Sequence, residues 1–201
     1  MPAPVSDYVR QIVPPAESAR RRRAAILAWG VALAVAALGA AAVAAAPVAR
    51  SRGAEALAAA LYGGFSVVCH QMPERSFWLA GFPLAVCARC AGMYAGMLAG
   101  VALYPLLRPL APAAAPARVW LLLAVLPTSL DWALGVAGLW ENTHLSRSLT
   151  ASLLGVASAF YVVPGLVELA VRRRELLRRA PAGHPGRGSS TNALRITQEK
   201  V

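Results

Sequence analysis

An all-α integral membrane fold with four transmembrane helices is what this sequence predicts, and three observations predict it. The 201-residue chain is 58% hydrophobic with a mean hydropathy of +0.53, more apolar than an ordinary soluble domain. Its apolar residues gather in runs near the roughly 20 residues that cross a bilayer. Its arginines gather at the ends of those runs, at Arg20 to Arg23 and at Arg172, Arg173, Arg174, Arg178 and Arg179, as they do at cytoplasmic membrane edges.

Residues 1–23 are polar and read as a cytoplasmic N-terminal lead. The membrane domain then covers 24–170. Its first span, 24–46, is nearly continuous Ala, Val and Leu, and its length exceeds the ~7–15 residue core of a cleaved signal peptide. Residues 54–68 are apolar but short, with Arg52 and Glu55 at their start, and fit an interfacial or re-entrant helix. A motif loop follows at 69–83. The remaining spans are 84–107, 118–139 and 148–170, joined by a Pro- and Ala-rich loop and by the polar turn Glu141 to Ser146. Residues 171–201 are basic, then rich in Gly, Ser and Pro, and read as a disordered tail.

The net charge of +11 has two readings. A nucleic-acid-binding tail is one, but no aromatic residues interleave with the arginines, and the spans already account for them. The expected partner is therefore the lipid bilayer, with no nucleic acid; protein partners are not indicated. With Arg20 to Arg23 inside, four spans return the chain inside at Arg172, in a multi-pass inner (plasma) membrane protein with both termini cytoplasmic. If 54–68 crossed instead, the basic tail would lie outside, against that rule. The Ala- and Arg-rich usage suggests a bacterial source.

All three cysteines, and one of the three histidines, fall in Cys69-His70-Gln71-Met72-Pro73-Glu74-Arg75-Ser76-Phe77 and Cys87-Ala88-Arg89-Cys90. Soft ligands and charges are costly beside lipid, so they mark a functional site. Cys87 and Cys90, three apart, share one helix face and can converge on one ion. Cys69 or His70 can complete a metal site, for zinc or another transition metal. Adjacent residues point apart, so His70 is expected to face away from the ion, and His144 is the preferred fourth ligand. Asp131 lies well inside its span and needs a cation or a wet cavity; Arg89 and Arg147 are the candidate partners, in a structural ion pair or with Asp131 supporting the metal ligands or accepting a proton. Glu74 and Arg75 are read as ordering the loop more than doing chemistry, and Asn142, in the turn on the same face, is grouped with them as a residue that supports the metal ligands or the ion pair. Gly92, Gly96 and Gly100 recur every four residues, with Ser148, Ser152, Gly155 and Ala159 as a similar stripe, so the second and fourth spans are expected to pack together.

These motifs resemble the prokaryotic membrane family called domain of unknown function 2085. The resemblance is carried by Cys69 to Phe77, Gly81, Pro83, Cys87 to Cys90, Gly92, Tyr94 and Gly96, and extends to Asp131, the Asn142 to Arg147 turn and Gly155. It covers roughly residues 60–160. Ala91 stands where the family is expected to carry Thr, which removes a hydroxyl. The resemblance implies a membrane protein with a Cys/His site and implies no reaction.

No G-x-S-x-G, H-E-x-x-H, phosphate-binding-loop or dinucleotide fingerprint is present, which argues against common hydrolase and nucleotide chemistry. An uncharacterised multi-pass protein with a Cys/His metal site at one membrane face is the leading reading. A membrane thiol–disulfide protein using Cys87 and Cys90 is the second. A small transporter or assembly subunit is the third.

Overall fold

The computed structural model describes residues 15–111 and 114–179. The remainder of the expected lead and tail lies outside these residues. Among the described residues there are five α-helices: α1 (Pro15–Ser51), α2 (Glu55–Ser66), α3 (Ala88–Leu107), α4 (Val119–Val136) and α5 (His144–Arg179). A 3-10 turn (Pro73–Arg75) and a two-stranded hairpin, β1 (Trp78–Leu79) and β2 (Phe82–Pro83), lie between α2 and α3. The helices α1, α3, α4 and α5 are long and apolar enough to cross a membrane. Large side chains such as Leu38, Val35, Leu122 and Leu153 stay exposed along them, as expected where lipid is the solvent.

The helix ends differ from the expected spans, and local hydrogen bonding explains why. Helix α1 begins within the expected lead, where Glu17 pairs with Arg21 one turn on at 3.0 Å. Helix α3 starts at Ala88 rather than at 84, because Leu84 N–H donates to the Phe77 carbonyl and Ala85 N–H to the Val43 carbonyl. Helix α4 ends at Val136, short of 139. Gly138 takes a φ of +70° and Leu139 N–H closes back onto the Leu134 carbonyl, a helix stop that glycine adopts without strain. Helix α5 starts at His144, ahead of 148, with Thr143 Oγ1 accepting the Ser146 N–H. It continues through residues 171–179, expected as tail, past a Glu168–Arg172 pair at 2.8 Å.

The helices alternate in direction. The start of α1, the end of α3 and the end of α5 share a core of Ala25, Ala32, Val101, Tyr104, Val163 and Val167, with Trp29 Nε1 donating to the Val101 carbonyl at 2.8 Å. Arg20 to Arg23 and Arg172 to Arg174 therefore lie at one end of the bundle. The end of α1, the starts of α3 and α5 and the end of α4 lie at the other, with α2 and the hairpin.

Helices α3 and α5 meet backbone to backbone. A Cβ at Gly92 would overlap the Ser148 carbonyl, and one at Gly96 the Ser152 carbonyl. At Gly100 it would stand 2.7 Å from Ala159 Cβ, and at Gly155 2.5 Å from the Met93 carbonyl. Small side chains permit this approach, which brings dispersion contacts where no hydrophobic effect drives helices together in lipid.

Candidate metal centre

Cys69 ends the segment leaving α2, Cys87 is the residue that caps the start of α3, and Cys90 lies in the first turn of α3. Their three Sγ atoms lie within 4.8 Å of one another. Three thiolates around one zinc ion at about 2.3 Å stand about 3.8 Å apart, so the trio needs only a small contraction to bind. Cys69 is buried, and Val43 and Val86 pack beside it.

The motif loop is built to hold this arrangement. Gln71 adopts a φ of +51°, and its side-chain amide donates to the Tyr62 carbonyl at 2.7 Å and the Ala85 carbonyl at 2.8 Å. It thus ties α2 to the residues entering α3. Tyr62 Oη donates to the Pro83 carbonyl, and the buried Ser76 hydroxyl donates to the Met72 carbonyl. The hairpin turns at Ala80 and Gly81, both with positive φ, the two-residue turn that matches strand twist. The positioning roles of Gln71, Tyr62 and Ser76 escape a sequence reading. Gln71 does stand inside the Cys-His-Gln run, which is the one signal that could have marked it.

The electrostatics favour thiolate at Cys87. The Cys90 thiol donates to it, and burial opposes this; the Cys90 backbone N–H, the Cys69 thiol and the Arg89 backbone N–H add further donors. Together they pull the Cys87 thiol down to about 5. The Cys87 N–H in turn donates to Cys69 Sγ at 3.2 Å. Because folding lowers this value, it favours the ionised form: the stabilisation is present above the ordinary thiol range and lost as pH falls through about 5. In chelator-treated protein, Cys87 alkylation by iodoacetamide is expected to fall on acidification with a midpoint near 5, read by peptide mass spectrometry. A midpoint at the ordinary value of about 8.5 would refute this environment.

The three cysteines open onto a cavity of about 1070 Å³, which His70, His144, Glu74, Arg75, Arg89 and Arg147 help to line. The group of converging ligand atoms among the described residues is the cysteine trio, without either histidine. His70 is exposed. His144, the expected fourth ligand, is held elsewhere: its Nε2 donates to the Glu74 carbonyl at 3.1 Å, and its ring lies 5.6 Å from that of Phe77.

Asp131 is buried, and its Oδ2 accepts from Arg89 at 2.7 Å and from Asn142 Nδ2 at 3.1 Å. Asn142 Nδ2 also donates to the Asp131 carbonyl at 2.6 Å. Of the two candidate cations for Asp131, Arg89 is the partner and Arg147 is not among its contacts. Since Arg89 lies between Cys87 and Cys90, this pair pins the cysteine turn to the end of α4 and to the turn before α5. A partly buried, hydrogen-bonded pair of this kind fixes geometry more than it adds stability.

The family described as predicted membrane protein (DUF2085) matches residues 69–161, the stretch that holds the cysteines, the glycine ladder, Asp131 and the start of α5. An uncharacterized protein of Methanocaldococcus jannaschii is 35% identical over 113 residues, which is 56% of this chain and 72% of that protein. An uncharacterized protein of Methanothermobacter thermautotrophicus is 36% identical over 96 residues, 47% of this chain and 84% of that one. Both relatives are archaeal, so they lend no support to the bacterial source suggested by composition. No solved structure matches.

Proposed function

This chain belongs to the DUF2085 family of predicted membrane proteins, and on that footing we propose that it carries a three-thiolate metal centre with an open fourth position. The observation that supports this most is the convergence of three Sγ atoms, within 4.8 Å of one another, at the wall of a large cavity. Cys69, Cys87 and Cys90 are the ligands, and zinc is the ion that best suits a thiolate set of this kind. A closed four-ligand site would be structural; three ligands beside a cavity leave room for water or a substrate atom. His70 and His144 then serve at the cavity wall as hydrogen-bonding or proton-transferring groups rather than as ligands. Metal analysis of purified protein, paired with thiol counting before and after reduction, tests the reading. A stoichiometric ion with three accessible thiols after chelation is expected; protein without metal and with a reducible bond would overturn it.

That second outcome would support a thiol–disulfide reading, which the placement of Cys87 at the start of α3 favours. Cys87 thiolate would attack a partner disulfide, Cys90 would displace the partner, and two electrons would pass to it as two thiols form there and one disulfide forms here.

The centre faces the outside of the plasma membrane in this proposal. Support comes from the arginine clusters of α1 and α5 at the opposite end of the bundle, the end expected to stay cytoplasmic. Reporter fusions after Ala117 and after Val201 are expected to read cytoplasmic, and one after Asn142 external. A cytoplasmic reading at Asn142 would reverse the compartment.

A further inference from the structure

Helix α4 packs along α5, and among the described residues it has no comparable packing against α1 or α3. Its tie to the start of α3 is polar, the bond from Arg89 to Asp131 at 2.7 Å. Asn142 places both bonds of its amide nitrogen on Asp131, one on the carboxylate and one on the backbone carbonyl. With the nitrogen engaged there, its Oδ1 turns to Gly135, one helical turn after Asp131 on the same face of α4. A Cβ at Gly135 would overlap Asn142 Oδ1 and stand 2.7 Å from Nδ2, so glycine leaves the space that the amide occupies. What this clasp holds is the terminal turn of α3. The backbone approach of α3 to α5 begins at Gly92, and Cys87 and Cys90 lie ahead of it, where a helix frays first. The Ala91 N–H closes onto the Cys87 carbonyl at 2.9 Å, so residues 87–91 move as one turn with Arg89 in its middle. Cys69 is held from another side, by its own N–H on the Phe65 carbonyl at 3.0 Å. The Asp131 side chain is only 6% exposed, a costly place for a carboxylate whose pairing returns little stability.

We propose that Asp131, Asn142 and Gly135 form a positioning unit that acts on the cysteine trio through Arg89, so that binding at the thiols and docking of the outer end of α4 strengthen each other. Asp131 fixes the guanidinium, Asn142 fixes the Asp131 carboxylate, and Gly135 seats Asn142. Linkage makes the effect reciprocal. If the clasp brings the sulfurs closer to binding geometry, a group bound by the sulfurs tightens the clasp by the same factor. The inference deepens the metal-centre reading and rests on it for the natural ligand; the coupling itself rests on the hydrogen bonds.

The test uses the full chain in neutral detergent after chelation, with two separate probes: cobalt(II), a spectroscopic substitute for zinc, and arsenous acid. Arsenous acid exchanges its three As–O bonds for three As–S bonds and releases three waters with the thiol protons, so it reports sulfur spacing whatever the natural ion is. Affinity is read from the sulfur-to-cobalt or sulfur-to-arsenic absorption, and hydrogen–deuterium exchange is followed on the same samples. In the unsubstituted protein each probe is expected to slow exchange both at 87–91 and at 132–143. Asp131→Asn and Gly135→Ala are each expected to weaken both probes about tenfold or more, the loss that follows when groups orienting metal ligands are removed. They are also expected to abolish the slowing at 132–143 and keep it at 87–91, a pattern that general destabilisation would not give. Leu134→Ala, on the exposed side of α4, is expected to change neither reading. Exchange at 132–143 that ignores a bound probe in the unsubstituted protein overturns the proposal, however the variants fold. Unchanged affinities in both variants do the same, and an effect in Asp131→Asn alone overturns the part given to Asn142 and Gly135. Arsenous acid bound and coupled without any cobalt binding defeats the metal reading and leaves the coupling standing; cobalt bound without coupling does the reverse. Binding of neither probe overturns both.

Discussion

Gly96→Leu is expected to unfold in detergent roughly 10 °C or more below the unsubstituted protein, the counterpart of about 3 kcal/mol or more for a chain of this size. Even one carbon at this position would overlap the Ser152 carbonyl, which belongs to the backbone of α5 and cannot swing aside as a side chain would. Helices α3 and α5 must therefore separate, and packing in lipid loses its dispersion contacts with nothing to replace them. Gly92, one turn nearer the cysteines, faces Ser148 in the same way, so separation also displaces Cys87 and Cys90 relative to the residues of α5 at the cavity. Gly30→Leu is the control. A Cβ there meets nothing within 4 Å, and no comparable loss is expected. Equal unfolding temperatures for Gly96→Leu and the unsubstituted chain would show that this face of α3 does not contact α5.

Each of Cys69→Ser, Cys87→Ser and Cys90→Ser is expected to reduce bound metal from stoichiometric to undetectable, measured by metal analysis after purification. A hydroxyl is a far poorer ligand than thiolate for a soft or borderline ion, and two remaining sulfurs do not close a site. His70→Ala and His144→Ala are expected to keep their metal. The His144 expectation follows from its hydrogen bond to the Glu74 carbonyl and its contact with Phe77, which hold the ring apart from the sulfur trio. Loss of metal in His144→Ala alone would show that the ring swings in to close the site. Full metal occupancy in Cys87→Ser and Cys90→Ser would remove the metal reading and leave these cysteines as small packing residues.

By itself the amino-acid sequence determined the membrane class, the four apolar helices and the gathering of every cysteine into one segment. These are local properties: hydropathy and the i,i+3 spacing of Cys87 and Cys90 are written in consecutive residues. The stripe from Gly92 to Gly100 and the stripe from Ser148 to Ala159 were also visible, because close approach in lipid demands small residues at a four-residue repeat on both helices. Helix ends were less legible. Whether Leu84 and Ala85 join α3 depends on carbonyls at Phe77 and Val43, one on the motif loop and one on a different helix. Only the tertiary structure decided that Asp131 takes Arg89 rather than Arg147, that Gln71 bridges Tyr62 and Ala85, and that His144 turns to Glu74. Each of these choices sets one polar group among partners on separate elements, 42 and 70 residues apart for Arg89–Asp131 and His144–Glu74 and 9 and 14 for Gln71. The energy that decides between them depends on distance and desolvation, quantities that exist only once the helices have packed.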